Sequence, residues 1–155
     1  MKRLSVLLAA LTALAAVLAG SALAGGNSAP KVTGDITFLN TAYEIYGIPA
    51  TQGHWVFTAQ QGPGSPAKGN MTYSDGYGSY TANVIGLQVS GSDATLTMQV
   101  TSTTTPYAAV GQVSTFVLHD AGEPGVGHDY FSVPDTPQGL FDEPTITAGN
   151  IQVHS

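Results

Sequence analysis

An apolar period of two runs through this chain and limits what it can become. Ala94, Leu96, Met98 and Val100 alternate without error with Thr95, Thr97, Gln99 and Thr101. On extended backbone successive side chains face opposite ways, so this segment is a strand with one dry face. The pattern recurs in His54–Gln60, where Trp55, Phe57 and Ala59 share a face, and in 68–73, where Met71 and Tyr73 do. Tyr80, Ala82 and Val84 alternate too, after which the phase slips and Ile85, Leu87 and Val89 carry it on; one extra residue is what a β-bulge leaves. Val32, Ile36 and Phe38 mark an interrupted first strand with Gly34 as a bulge position, and segments 113–118, 130–133 and 145–153 complete the set, the last with an irregularity at Gly149. Ser74-Asp75-Gly76 and Ser90-Gly91-Ser92-Asp93 read as tight turns, the second making 85–101 a hairpin. Beyond the N-terminal segment no window carries a helical stripe, and nine prolines with nineteen glycines punctuate the chain. The expectation is an all-β fold, an antiparallel β-sandwich or small β-barrel of about seven to nine short strands. Periodicity alone does not separate the two.

The N-terminus reads as an export signal. Lys2 and Arg3 precede the apolar run 4–20, and Ala22-Leu23-Ala24 places small residues where a signal peptidase reads them. The alternative, an uncleaved anchor, requires roughly 20 apolar residues; the polar Gly25-Gly26-Asn27-Ser28 begins at once instead. The expected organisation is a signal peptide over 1–24, a flexible leader over 25–30 and a single all-β domain over 31–155. The product is expected to be secreted, extracellular or in the cell envelope, and off the membrane once cleaved.

Cleavage after Ala24 would leave two lysines, no arginine and ten acids, a formal charge of −8. Two cations do not neutralise a run of phosphates, which excludes nucleic acid and anionic membrane surfaces as partners. No cysteine is present, so neither a disulfide framework nor a lipidated signal junction is available. Stability must come from core burial, backbone pairing or a bound ion.

Two clusters stand out as candidate sites. His119, Asp120, Glu123, His128 and Asp129 place five potential ligands in eleven residues, with Gly122, Pro124, Gly125 and Gly127 letting the backbone fold tightly. Oxygen ligands from Asp120, Glu123 and Asp129 suit Ca2+. His119 and His128 would bring in zinc, but zinc-type histidine spacing is missing. The plainer reading is a strand-joining loop in which Asp120 caps the turn and Asp129 anchors the next strand. The second cluster is Tyr73, Tyr77 and Tyr80 around Ser74-Asp75-Gly76, with Tyr43, Tyr46 and Tyr107 in other loops. Exposed tyrosines beside Asp and Asn stack on sugar rings, which would make the partner a glycan or a protein. The plainer reading is a cross-strand Tyr73–Tyr80 pair flanking a hairpin turn. Trp55 and Phe57 belong to the core on this pattern.

Enzyme signatures are missing. The chain has no Gly-x-Ser-x-Gly elbow, no thiol and no phosphate-cradling glycine loop before a helix. Asp142 and Glu143 are adjacent, and on extended backbone they point apart. No catalytic residue is assigned, although a triad dispersed along the sequence is compatible with it.

The order of motifs resembles a known family. Lys68-Gly-Asn70, Tyr73-x-Asp75 and the stretch 84–91 come first, followed by the run from Phe116 through Asp129 with Phe131, and by Gly149-Asn-Ile-Gln-Val-His154. Over about residues 31–154 these are similar to the post-COAP-1 domain, a small secreted β-domain of actinobacteria and related bacteria. The specific parts are the Asp-x-Gly-Glu-Pro-Gly loop and the final Gly-Asn-Ile-Gln-Val-His. The resemblance implies secretion and a β-fold and assigns no activity. Members are expected to carry cysteines near the central strands, and this chain has none. The sequence therefore points to a secreted, non-enzymatic binding or structural module, with a calcium-binding domain and a hydrolase as rivals.

Overall fold

A computed structural model describes residues 28–41, 44, 49–134 and 144–155. The signal segment, Tyr43, Tyr46, Asp142 and Glu143 lie outside the described residues. Among the described residues eight strands follow one another: β1 (Lys31–Asn40), β2 (Thr51–Gln60), β3 (Lys68–Asp75), β4 (Gly78–Ser90), β5 (Asp93–Thr103), β6 (Val113–His119), β7 (Tyr130–Ser132) and β8 (Ile146–His154). They form a single antiparallel sheet in the order β7-β6-β5-β4-β3-β2-β1-β8. The fold is therefore a nearly closed up-and-down barrel rather than a sandwich, with β7 and β8 facing each other across the seam. Among the described residues no helix is long and apolar enough to cross a membrane.

The alternation places the core inside. Val32, Ile36, Phe38, Trp55, Phe57, Leu96, Met98, Leu118 and Ile151 are all buried, and the aromatic rings interlock in the middle of the barrel. Trp55 lies 4.4 Å from Phe131 and 4.9 Å from Phe116 between ring centroids, and Phe38 packs edge-on at 4.8 Å from Phe131. Each large side chain so buried contributes about 1.5–3 kcal/mol.

Two local expectations change. Gly34 is not a bulge: β1 pairs with β2 in unbroken register, and Gly34 faces inward where the Phe57 ring occupies the place of a β-carbon. A large ring against a residue with no side chain is how a narrow barrel interior is filled without overlap. The shift in β4 falls between Val84 and Gly86 as expected, but Ile85 does not continue the apolar phase. It is the inserted residue, turned outward and 49% exposed, while Leu87 and Val89 resume the inward face.

Candidate functional site

The Asp-x-Gly-Glu-Pro-Gly loop lies along the seam, and its carboxylates face β8. In β8 the N–H groups of Ile151 and Val153 point away from β1, toward an edge that the three-residue β7 is too short to cover. Asp129 Oδ2 accepts from Ile151 N at 2.7 Å and its Oδ1 from Ala121 N at 2.9 Å. Asp120 Oδ2 accepts from Val153 N at 2.8 Å and its Oδ1 from Gly122 N at 2.8 Å. Glu123 Oε1 takes the side-chain amides of Asn150 and Gln152. Two side-chain carboxylates thus occupy positions that a ninth strand's carbonyls would hold, and the barrel is stapled shut.

Asp120, Glu123 and Asp129, the residues expected to hold calcium, here accept N–H groups of β8 residues. The three carboxylates are spread along β8 rather than turned toward a common centre. Among the described residues no group of three His, Asp or Glu side chains is placed to hold a metal ion. His119 leaves the cluster altogether, stacking on Tyr130 at 4.6 Å and pairing through Nδ1 with Asp93 Oδ1 at 2.6 Å. His128 is exposed, and its backbone N–H closes the loop on the Gly125 carbonyl.

The tyrosines gather toward the opposite end, with Tyr73 buried and Tyr77 and Tyr80 half-buried. Tyr73 and Tyr80 are the cross-strand pair, 5.0 Å between centroids, with Tyr73 only 6% exposed. Tyr77 is half-buried, donates to the Pro49 carbonyl and meets Tyr107 edge-on at 5.9 Å. The Asp75 carboxylate organises the turn: Oδ1 accepts from the N–H groups of Tyr77 and Gly78, and Oδ2 accepts from the Tyr73 hydroxyl at 2.8 Å. Asn40, itself buried, donates to that hydroxyl at 2.8 Å. Burial, then the bond to Asp75 and its charge, push Tyr73 well above the ordinary tyrosine value of 10.0.

A sign follows. Tyr73 stays neutral in the folded protein while its unfolded counterpart ionises near pH 10, so its stabilisation is complete below pH 10 and is lost as pH rises beyond. Tyr73→Phe is expected to cost about 1–3 kcal/mol at neutral pH, since Asn40 and Asp75 lose a buried partner, and to flatten the fall in stability above pH 10. Chemical denaturation across pH 8–11 reads both; an unchanged alkaline slope would remove Tyr73 as its source.

Between this tyrosine end and the central aromatic cluster lies a cavity of about 90 Å³. Trp55, Tyr73, Tyr80, Ala82, Met98 and Phe116 form its inner walls. The β5–β6 connection supplies the outer wall through Thr105, Tyr107, Ala108 and Gln112, of which Gln112 is exposed. Trp55 is 2% exposed, and its Nε1–H has no hydrogen-bond partner. Sequence reasoning assigned Trp55 to the core and missed the cavity beside it. Neither a histidine nor a carboxylate lines this cavity. The two His–Asp pairs, His54–Asp35 at 2.7 Å and His119–Asp93, are both solvent-accessible and outside it.

Fold and cavity together define an eight-stranded antiparallel barrel with a small aromatic chamber at one end. Eight-stranded barrels are at the size where the interior is either filled or holds one small ligand. Comparison with family models, curated proteins and solved structures finds no match.

Proposed function

We propose that this protein is an exported, non-enzymatic binding module whose ligand enters the barrel beside the β5–β6 connection. The observation that carries the reading is the chamber walled by Trp55, Tyr73, Tyr80 and Phe116. Concave walls of apolar and aromatic side chains with a few polar groups among them are the usual make-up of a small-molecule site. Export rests on the N-terminal signal pattern, and the likeness to the post-COAP-1 domain is carried as part of the same proposal. A glycan or protein partner is the second reading, favoured by Tyr77 and Tyr107, half-buried and edge-to-face.

The test is a thermal shift with small neutral aromatics, toluene and benzaldehyde among them. A ligand at a hundred times its dissociation constant stabilises the fold by about 2.7 kcal/mol, worth several degrees in this size range. The expected result is such a rise in the wild type and none in Ala108→Trp, which plugs the outer wall while leaving the core strands unaltered. No rise with any compound, or an equal rise in Ala108→Trp, would contradict the reading.

A further inference from the structure

The geometry points to a second, outward-facing site: a shallow depression at the β4 bulge that takes one ring of a neutral saccharide. The inference goes beyond the chamber reading and does not rest on it.

The depression measures about 260 Å³ and lies where the β2–β3 connection stands beside β4 and β5. Gln61 and Pro66 line it from that connection, Ile85 and Gln88 from β4, and Thr95 and Thr97 from β5. The bulge shapes it. The register shift between Val84 and Gly86 leaves Ile85 outward and 49% exposed, and re-aiming a side chain in this way is a recurrent use of bulges at binding sites. Gly86 belongs to the lining as well. A β-carbon there would lie 3.1 Å from the Thr97 side chain, so the glycine keeps that space clear.

The chemistry of the lining selects the ligand. No charged side chain lines the depression, and from Gly76 to Leu118 the single charged residue is Asp93. Its carboxylate is engaged by His119 at 2.6 Å. An ionic ligand therefore gains no counter-charge to offset its desolvation. Side-chain hydroxyls and amides each both donate and accept, as sugar hydroxyls do. Thr95, Thr97 and Gln88 supply such groups, and Gln61 spends its Nε2 on the Ser65 carbonyl, leaving Oε1 to accept. Ile85 and Pro66 add aliphatic surface for the C–H face of a sugar ring. A second copy of this chain fits less well. Homodimer interfaces are about 65% apolar, whereas the surrounding wall exposes Asn83, Gln99 and Thr101.

Native gels cast with soluble polysaccharides test this on the whole protein, whose negative charge carries it through the matrix. Dextran, mannan and xyloglucan are the neutral probes, and polygalacturonate is the charged one. The expected result is retardation by one or more neutral polymers and none by polygalacturonate. The dissociation constant is read from mobility against polymer concentration. Ile85→Glu alters an exposed side chain and should weaken binding about tenfold, the worth of one aliphatic contact. Val110→Glu adds the same charge at a site 67% exposed and outside the depression, and should bind as the wild type does. Ala108→Trp, which plugs the chamber, should also bind unchanged, so failure of this site and failure of the chamber are told apart. Equal retardation of Ile85→Glu and the wild type would overturn the inference, as would no retardation by any neutral polymer.

Discussion

Asp129→Ala is expected to lower the melting midpoint by about 10–20 °C. Asp129 is 3% exposed and accepts two backbone N–H groups, from Ala121 in the loop and Ile151 in β8. Hydrogen bonds to a charged partner contribute about 1.5–3 kcal/mol each, so the loss is about 3–5 kcal/mol. For a domain of this size each kcal/mol moves the midpoint by about 3–5 °C. Asp129→Asn keeps the shape but presents one acceptor oxygen, so it should fall about midway. Glu123→Gln, on an exposed side chain bonding only side-chain amides, should change stability by less than about 1 kcal/mol. Differential scanning calorimetry of these variants, each in excess EDTA and then in excess calcium, separates the two readings of the loop. The staple predicts the same ordering in both buffers. A wild-type midpoint that rises with calcium and loses the rise in Asp129→Ala would make the loop a cation site.

Gly149→Ala should be as damaging, from a different cause. Gly149 sits in β8 at φ +90°, and a β-carbon there would fall inside the Asp35 backbone carbonyl across the β1 ladder. Backbone cannot step aside as a side chain can, so β8 must detach locally or the ladder must shift. The expected cost is about 3 kcal/mol or more, the range of overpacking with strain. Gly91 is the control. It also lies at positive φ, +63°, but a β-carbon there meets nothing within 4 Å, and Gly91→Ala should cost only the roughly 1–2 kcal/mol of the left-handed conformation. Similar losses for the two variants would show that the β1–β8 approach is not what holds Gly149.

Both variants bear on what the sequence could and could not disclose. Strand identity was legible because the inward face is continuously apolar, and β5 alternates through Ala94, Leu96, Met98 and Val100 without exception. The bulge in β4 was legible as a phase slip, yet its outward residue was not: Ile85 is apolar, and composition does not say which of two consecutive apolar residues is the insertion. Gly34 was misread because a glycine in a strand signals either a bulge or a close neighbour, and the neighbour here is Phe57 from another strand. Closure as a barrel depends on β8 returning to pair with β1, a contact between chain ends that alternation does not encode.

The 119–129 loop was visible as a constellation, and its purpose was not. Acidic residues among glycines look the same in sequence whether their oxygens meet an ion or the N–H groups of a distant strand. The deciding residues, Ile151 and Val153, lie over twenty positions away. The chamber was hidden for a similar reason. Its inner walls come from β2 through β6, and each residue there, from Trp55 to Phe116, reads alone as ordinary core. Tyr73 shows the limit from the other side: its cross-strand pairing with Tyr80 was legible, and the hydrogen bonds that hold it inside, from Asn40 and to Asp75, were not.

The central claim, a ligand chamber at the tyrosine end of the barrel, is tested most directly by the nitrogen–proton NMR spectrum of the labelled protein titrated with toluene and benzaldehyde. Saturable shifts of the backbone amides of the wall residues Tyr80, Ala82 and Ala108 are the predicted result. A spectrum indifferent to both compounds at saturating concentration would contradict the account.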